Sequence, residues 1–98
     1  MITIKYSHYW PPLGGINTSN PENPELARTA RGDKWQDWVD KGIACPMEWK
    51  FGTTIKAFGH SWKCVDRGGM IVGNWVDFLE EKASLPYGTE IQVEIYRR

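Results

Sequence analysis

Ile2, Ile4 and Tyr6 alternate with Thr3 and Lys5 in the opening ITIKY, and this two-residue period predicts a strand at residues 2–6 with one buried face. Short runs of the same texture recur at TTIKAF (53–58), SWKCVD (61–66), MIV (70–72), NWVDFL (74–79) and EIQVEIY (90–96). Each is rich in β-branched and aromatic residues and is set off by glycine or proline, so each is expected as a strand. One segment changes period. In GDKWQDWVDKG (32–42), Trp35, Trp38 and Val39 fall at i, i+3 and i+4, the stripe of a short helix over about 33–41 that Gly42 would end. DFLEEKA, from Asp77, can add one helical turn. PPLGGINTSNPENPE (11–25) carries four of the six prolines, Gly14, Gly15 and three asparagines, so it reads as a long loop, a wall or lid rather than a linker.

At 98 residues the chain is expected to form one domain over 1–98, mainly β, because a second core would have too little to bury. Six tryptophans, four tyrosines and three phenylalanines supply the bulk of that core. Twelve basic residues balance twelve acidic ones, which leaves no electrostatic footprint for nucleic acid or an anionic membrane. No apolar run approaches the ~20 residues that span a bilayer, so no membrane insertion is expected. MITIKYSHYW has no charged segment followed by a long apolar stretch and is not a signal peptide. The chain is therefore expected in the cytosol as it stands, or as a mature form, an excised domain or a phage-type protein released by lysis. A monomer without a cofactor is expected.

Cys45 and Cys64 can form one disulfide or remain two buried thiols. Their spacing is neither a CxxC redox pair nor a zinc motif. His8 and His60 lack zinc-ligand spacing with either cysteine, so no metal is expected. Nothing resembles a nucleophile elbow, a P-loop or a dinucleotide-binding glycine loop.

FGTTIKA and YGTEIQV share an aromatic, Gly, Thr, any residue, Ile, polar and apolar order at a constant offset of 36 residues, Phe51 to Tyr87 and Ala57 to Val93. Such an echo points to a duplicated supersecondary unit, and two copies suit a barrel of interlocked halves with no exposed strand edges.

The run ACPMEWKFGTTIKAFGHSWKCVDRGGMIVGNWVDF followed by LPYGTEIQVEI resembles the 3D (three-aspartate) domain over roughly residues 43–95. DRGGMI with WVDF carries most of the likeness, and FGT before a strand adds to it. The resemblance implies a six-stranded double-psi β-barrel related to membrane-bound lytic transglycosylase A and to expansin- and barwin-like barrels, with peptidoglycan or another polysaccharide as ligand and the cell envelope or extracellular space as location. It further implies that Asp77 is the general acid and base and that Asp66 is a neighbouring carboxylate that tunes the site. Where the family has its first aspartate, before a proline, this chain has Cys45. Cys64 lies two residues before Asp66 on one strand, so the two side chains are expected to face the same way, with Cys45 and Cys64 as neighbours, bonded in an exported protein.

The residues alone allow two readings of each candidate. Gly68-Gly69 and Gly73-Asn74 mark turns that can bring Asp66 and Asp77 side by side. Converging carboxylates would raise one pKa into a range useful for protonating a glycosidic oxygen. Alternatively, Asp66 holds backbone amides of the glycine turn and Asp77 is structural. Thr53 and Thr89 follow the echoed glycines and can bind substrate or stabilise a turn. Tyr9, Trp10, Trp49 and Trp62 can stack on sugar rings in a cleft near His8, or they can pack in the core. A non-catalytic carbohydrate-binding module and a protein-interaction domain are the competing functions.

Overall fold

The computed structural model describes residues 1–13 and 24–97; the expected long loop lies mostly outside them. Six strands close into one barrel: β1 Ile2–Tyr9, β2 Gly42–Ala44, β3 Thr54–Ala57, β4 His60–Asp66, β5 Trp75–Leu79 and β6 Glu90–Tyr96, in the order β1-β5-β2-β4-β3-β6. Two neighbouring pairs are parallel, β1 with β5 and β2 with β4; the other four are antiparallel. Exchanging β1 with β4, β2 with β5 and β3 with β6 leaves every pairing and its sense unchanged.

The sequence echo is realised as backbone bonding. Gly52 and Gly88 both have positive φ, 92° and 83°, the left-handed turn conformation that glycine adopts without steric cost. Gly52 N donates to Cys64 O and Cys64 N to Thr53 O, while 36 residues on Gly88 N donates to Tyr6 O and Tyr6 N to Thr89 O. Thr53 and Thr89 thus lead two equivalent strands into the barrel.

Alternation along the strands fills the interior. Ile4, Tyr6, Ile43, Ile55, Trp62, Cys64, Val76, Phe78 and Val93 belong to one buried cluster. Trp62 and Phe78 meet edge to face at 4.8 Å between ring centroids, and Tyr6 lies 5.2 Å from Phe78. A second, smaller cluster sits on the outside of the barrel. There Ala27 and Trp35 cover Leu79 together with Tyr9, Trp10, Trp38 and Val39. Residues 24–41 form this outer layer, tied down by Arg31 N to Val65 O, Asp40 N to Leu79 O and Lys63 N to Lys41 O.

Three local expectations need correction, and one strand was not expected at all. The helix over 33–41 is a 3-10 turn, Trp35–Trp38. Asp40 has φ of 60°, outside helical geometry, and the next residues turn into β2. MIV (70–72) is not a strand: Ile71 N bonds back to Gly68 O and Val72 O accepts from Trp75 N, so the segment runs between two tight turns. DFLEEKA continues β5 to Leu79 and then bends, because its first three residues pair with β1 and β2. Strand β2 itself went unread: three residues, all buried, are too short to display a period. Gly42 is required there, since a Cβ on it would lie 2.9 Å from the Trp38 Cβ.

Candidate functional site

The centre of the site is Ala44 on β2. It pairs with Asp66 of β4 on one side and with Asp77 of β5 on the other. The two aspartates therefore stand two strand spacings apart, about 10 Å between Cα atoms, with a methyl group between them.

Asp66 reaches this face through an irregularity. The β2/β4 register shifts between Ile43 and Ala44, so Ile43 pairs with Cys64 but Ala44 with Asp66. One extra residue in a strand reverses the facing of every later side chain. Cys64 consequently points into the core, whereas Asp66 meets the outer layer, contrary to the expectation that they face the same way. Asp66 is 4% exposed. Its Oδ1 accepts from Ala30 N at 2.7 Å and Arg67 N at 2.8 Å, and its Oδ2 accepts from the Tyr9 hydroxyl at 2.9 Å. Burial pushes the Asp66 pKa above the ordinary carboxylate range, and the bonds from Ala30, Arg67 and Tyr9 oppose that rise. The cause is desolvation rather than a carboxyl pair sharing one proton. The Tyr9 pKa is driven well above 10 by burial first, then by the Asp66 charge, with a contribution from Asp77.

Asp77 is equally buried, at 6%, but its surroundings differ. Ser7, its partner on β1, donates its hydroxyl to Asp77 Oδ1 at 3.0 Å. The carboxylate lines an open cleft of about 360 Å³. Ser7 and His8 form its β1 wall, Met70 and Ile71 the turn side, and Trp75 and Tyr87 an aromatic side. Trp75 shares its face with Asp77 because it is two residues earlier on β5. Tyr87 stacks on Trp75 with centroids 5.1 Å apart, and the Trp75 ring edge lies 3.7 Å from where a Gly88 Cβ would sit. His8 Nδ1 is 3.1 Å from Glu80 O, which fixes the ring against the end of β5.

The other sequence candidates go elsewhere. Trp62, 1% exposed, and Trp49 are core side chains, so neither offers a ring face to a sugar. Trp10 packs edge to face on Trp35 in the outer layer. Thr53 is buried in the turn that feeds β3. Tyr9 alone of the four aromatics joins the aspartates. Cys45 and Cys64 form a disulfide with Cα atoms 5.7 Å apart. Beside it the Arg67 guanidinium donates to the carbonyls of Pro46 (3.1 Å) and Trp49 (2.6 Å) and stacks on Phe51. Among the described residues no group of three His, Cys, Asp or Glu side chains is arranged to hold a metal.

Sequence reasoning missed Ser7, Trp75 and Tyr87 at the cleft. For Trp75 the signal was present, since i and i+2 on a strand share a face. Tyr87 carried only its place in the echo. A third buried carboxylate, Glu80, was also missed; it accepts from the Tyr6 hydroxyl and from Ser84 Oγ at 2.9 Å and holds the 80–84 bend against the core.

Comparison with protein-family models, with curated proteins and with solved structures returns no match for this chain.

Proposed function

We propose that this chain is a cell-wall polysaccharide-active enzyme of the lytic transglycosylase type, built on a double-psi barrel, with Asp77 as its general acid and base. The observation that carries the reading is the position of Asp77, a buried carboxylate bonded to Ser7 among the residues that line a cleft with an aromatic side. In the protonated form Asp77 would give its proton to the glycosidic oxygen as the bond from C1 of N-acetylmuramic acid to that oxygen breaks. As a carboxylate it would then take the proton of the muramyl 6-hydroxyl while that oxygen bonds to C1, closing a 1,6-anhydro ring. No water is consumed and the proton returns to Asp77. The two parallel strand pairs and the hydrogen-bonded echo support the barrel assignment. The disulfide supports a setting outside the reducing cytoplasm.

One observation favours a second reading, a non-catalytic carbohydrate-binding module. Cys45, at the place of the family's first aspartate, is consumed in the disulfide, and three donors occupy Asp66. Incubation with purified peptidoglycan separates the two. The enzyme is expected to release anhydro-muropeptides, detected by mass spectrometry, and Asp77→Asn is expected to abolish their release. Sedimentation with the sacculus without new saccharide ends would establish the binding module instead, and neither binding nor cleavage would dismiss both.

A further inference from the structure

Tyr87 is 81% exposed, yet its ring is not loose on the surface. It leans on Trp75 at a 34° interplanar angle, and Lys5 covers Trp75 in turn, its Nζ 5.7 Å from the indole centroid, while Gly88, lacking a side chain, leaves room for the indole edge. An aromatic ring fixed from behind and open in front, on the wall of a cleft, is an arrangement that loses little conformational entropy when a flat partner settles on it. Met70, 71% exposed, lies on the same cleft.

We propose that Tyr87, backed by Trp75, is the stacking platform that seats one pyranose ring of an N-acetylhexosamine polymer beside Asp77. This rests on the polysaccharide reading and specifies which aromatic serves it. The polar groups beside the platform select the ligand class. A nucleobase would also stack on a tyrosine, but its phosphates would lie next to the Asp77 carboxylate, and the chain has no net positive charge to offset that repulsion. A pyranose presents an apolar C–H face to the ring and hydroxyl donors at its rim. Asp77 and the Ser7 oxygen accept from such donors, and the apolar side chains of Met70 and Ile71 suit an acetamido methyl group. The platform is not among the aromatics singled out in the sequence, because Trp49 and Trp62 have no open face.

The test uses the full chain and two probes, purified peptidoglycan sacculi and the tetramer of N-acetylglucosamine. Tyr87→Ala is expected to weaken binding about tenfold, while Tyr87→Phe, which keeps the ring face, stays within about twofold of the parent protein. Tyr96→Ala is the control: Tyr96 is an exposed aromatic on β6, away from the cleft, and its removal is expected to leave binding unchanged. If the parent protein binds or cleaves and Tyr87→Ala does so equally well, the platform is refuted and the polysaccharide reading stands. If the parent protein neither binds nor cleaves either probe, that reading fails and the platform with it. Tyr87→Ala exposes no core, so its fold, checked by near-ultraviolet circular dichroism, is expected to remain native. Loss of binding that Tyr87→Phe does not rescue would also overturn the proposal.

Discussion

Asp66 and Asp77 flank the same alanine and are both nearly fully buried, yet different surroundings lie in front of them. On the Asp66 side two backbone amides and a phenol converge on the carboxylate, and residues 27–31 close over it. On the Asp77 side a serine hydroxyl orients the carboxylate and a cleft opens in front of it. Burial therefore does not tell the two carboxylates apart. What distinguishes them is whether the fold closes over the group, as at Asp66, or the group borders a cleft that a ligand can enter. Asp66 is a tether between the barrel and its outer layer. Asp77 borders a cleft, the setting that the proposed acid and base requires.

The contrast is broken most directly by asparagine at each position. Under the catalytic reading, Asp77→Asn should lower the rate of anhydro-sugar release by ~10²–10⁴-fold, the usual contribution of a proton-transfer group. Asp66→Asn should keep turnover within about tenfold, since an amide oxygen still accepts from Ala30 and Arg67. Equal losses at both positions, measured as initial rates on sacculi, would erase the distinction.

The disulfide sharpens the comparison because it lies on the Asp66 side, joining the end of β2 to β4 across 19 residues. Replacing both Cys45 and Cys64 by alanine should cost about 3 kcal/mol of unfolding free energy, the loop-closure value for a link of that length. Urea denaturation reads this directly. An unchanged midpoint would mean that Arg67 and the surrounding packing hold the segment without the bond.

Truncation to alanine comes next in size. Asp66→Ala strands two backbone amides and the Tyr9 hydroxyl, at a cost of about 1–3 kcal/mol. Asp77→Ala takes the acceptor of the Ser7 hydroxyl away beside a cleft that water can enter, at an expected cost of about 1 kcal/mol. A larger loss at Asp77 than at Asp66 would reverse the roles assigned to them.

The smallest expected effect is a pH dependence. The folded Asp66 pKa is raised by burial, so folding favours its protonated form. The stabilisation linked to that proton is present below the ordinary carboxylate value and is lost as pH rises through the folded value. Against Asp66→Asn as reference, the wild-type stability advantage should therefore shrink from about pH 4 upward. Tyr9→Phe removes one of the bonds that restrain the rise, which should move the loss to higher pH. A stability difference between the parent protein and Asp66→Asn that does not vary from about pH 3 to 7 would contradict this origin for the shift.

Much of the architecture is legible in the chain. The period of ITIKY and EIQVEIY marks β1 and β6, and the echo from Phe51 to Tyr87 fixes two equivalent turns, because glycine at positive φ followed by a threonine that pairs back into the barrel is local chemistry. Cys45 and Cys64 were also expected as neighbours, and the disulfide joins them. Tertiary structure alone decided the rest. A single register shift between Ile43 and Ala44 turned Asp66 away from Cys64, and no side-chain pattern announces a bulge in a three-residue strand. The long-range bond from Ala30 made Asp66 a tether, since a donor 36 residues away leaves no trace in local spacing. Which aromatics pack inside and which face the cleft depends on how six strands close on one another. Trp62 is surrounded on every side for that reason, and Tyr87 is left with one face open.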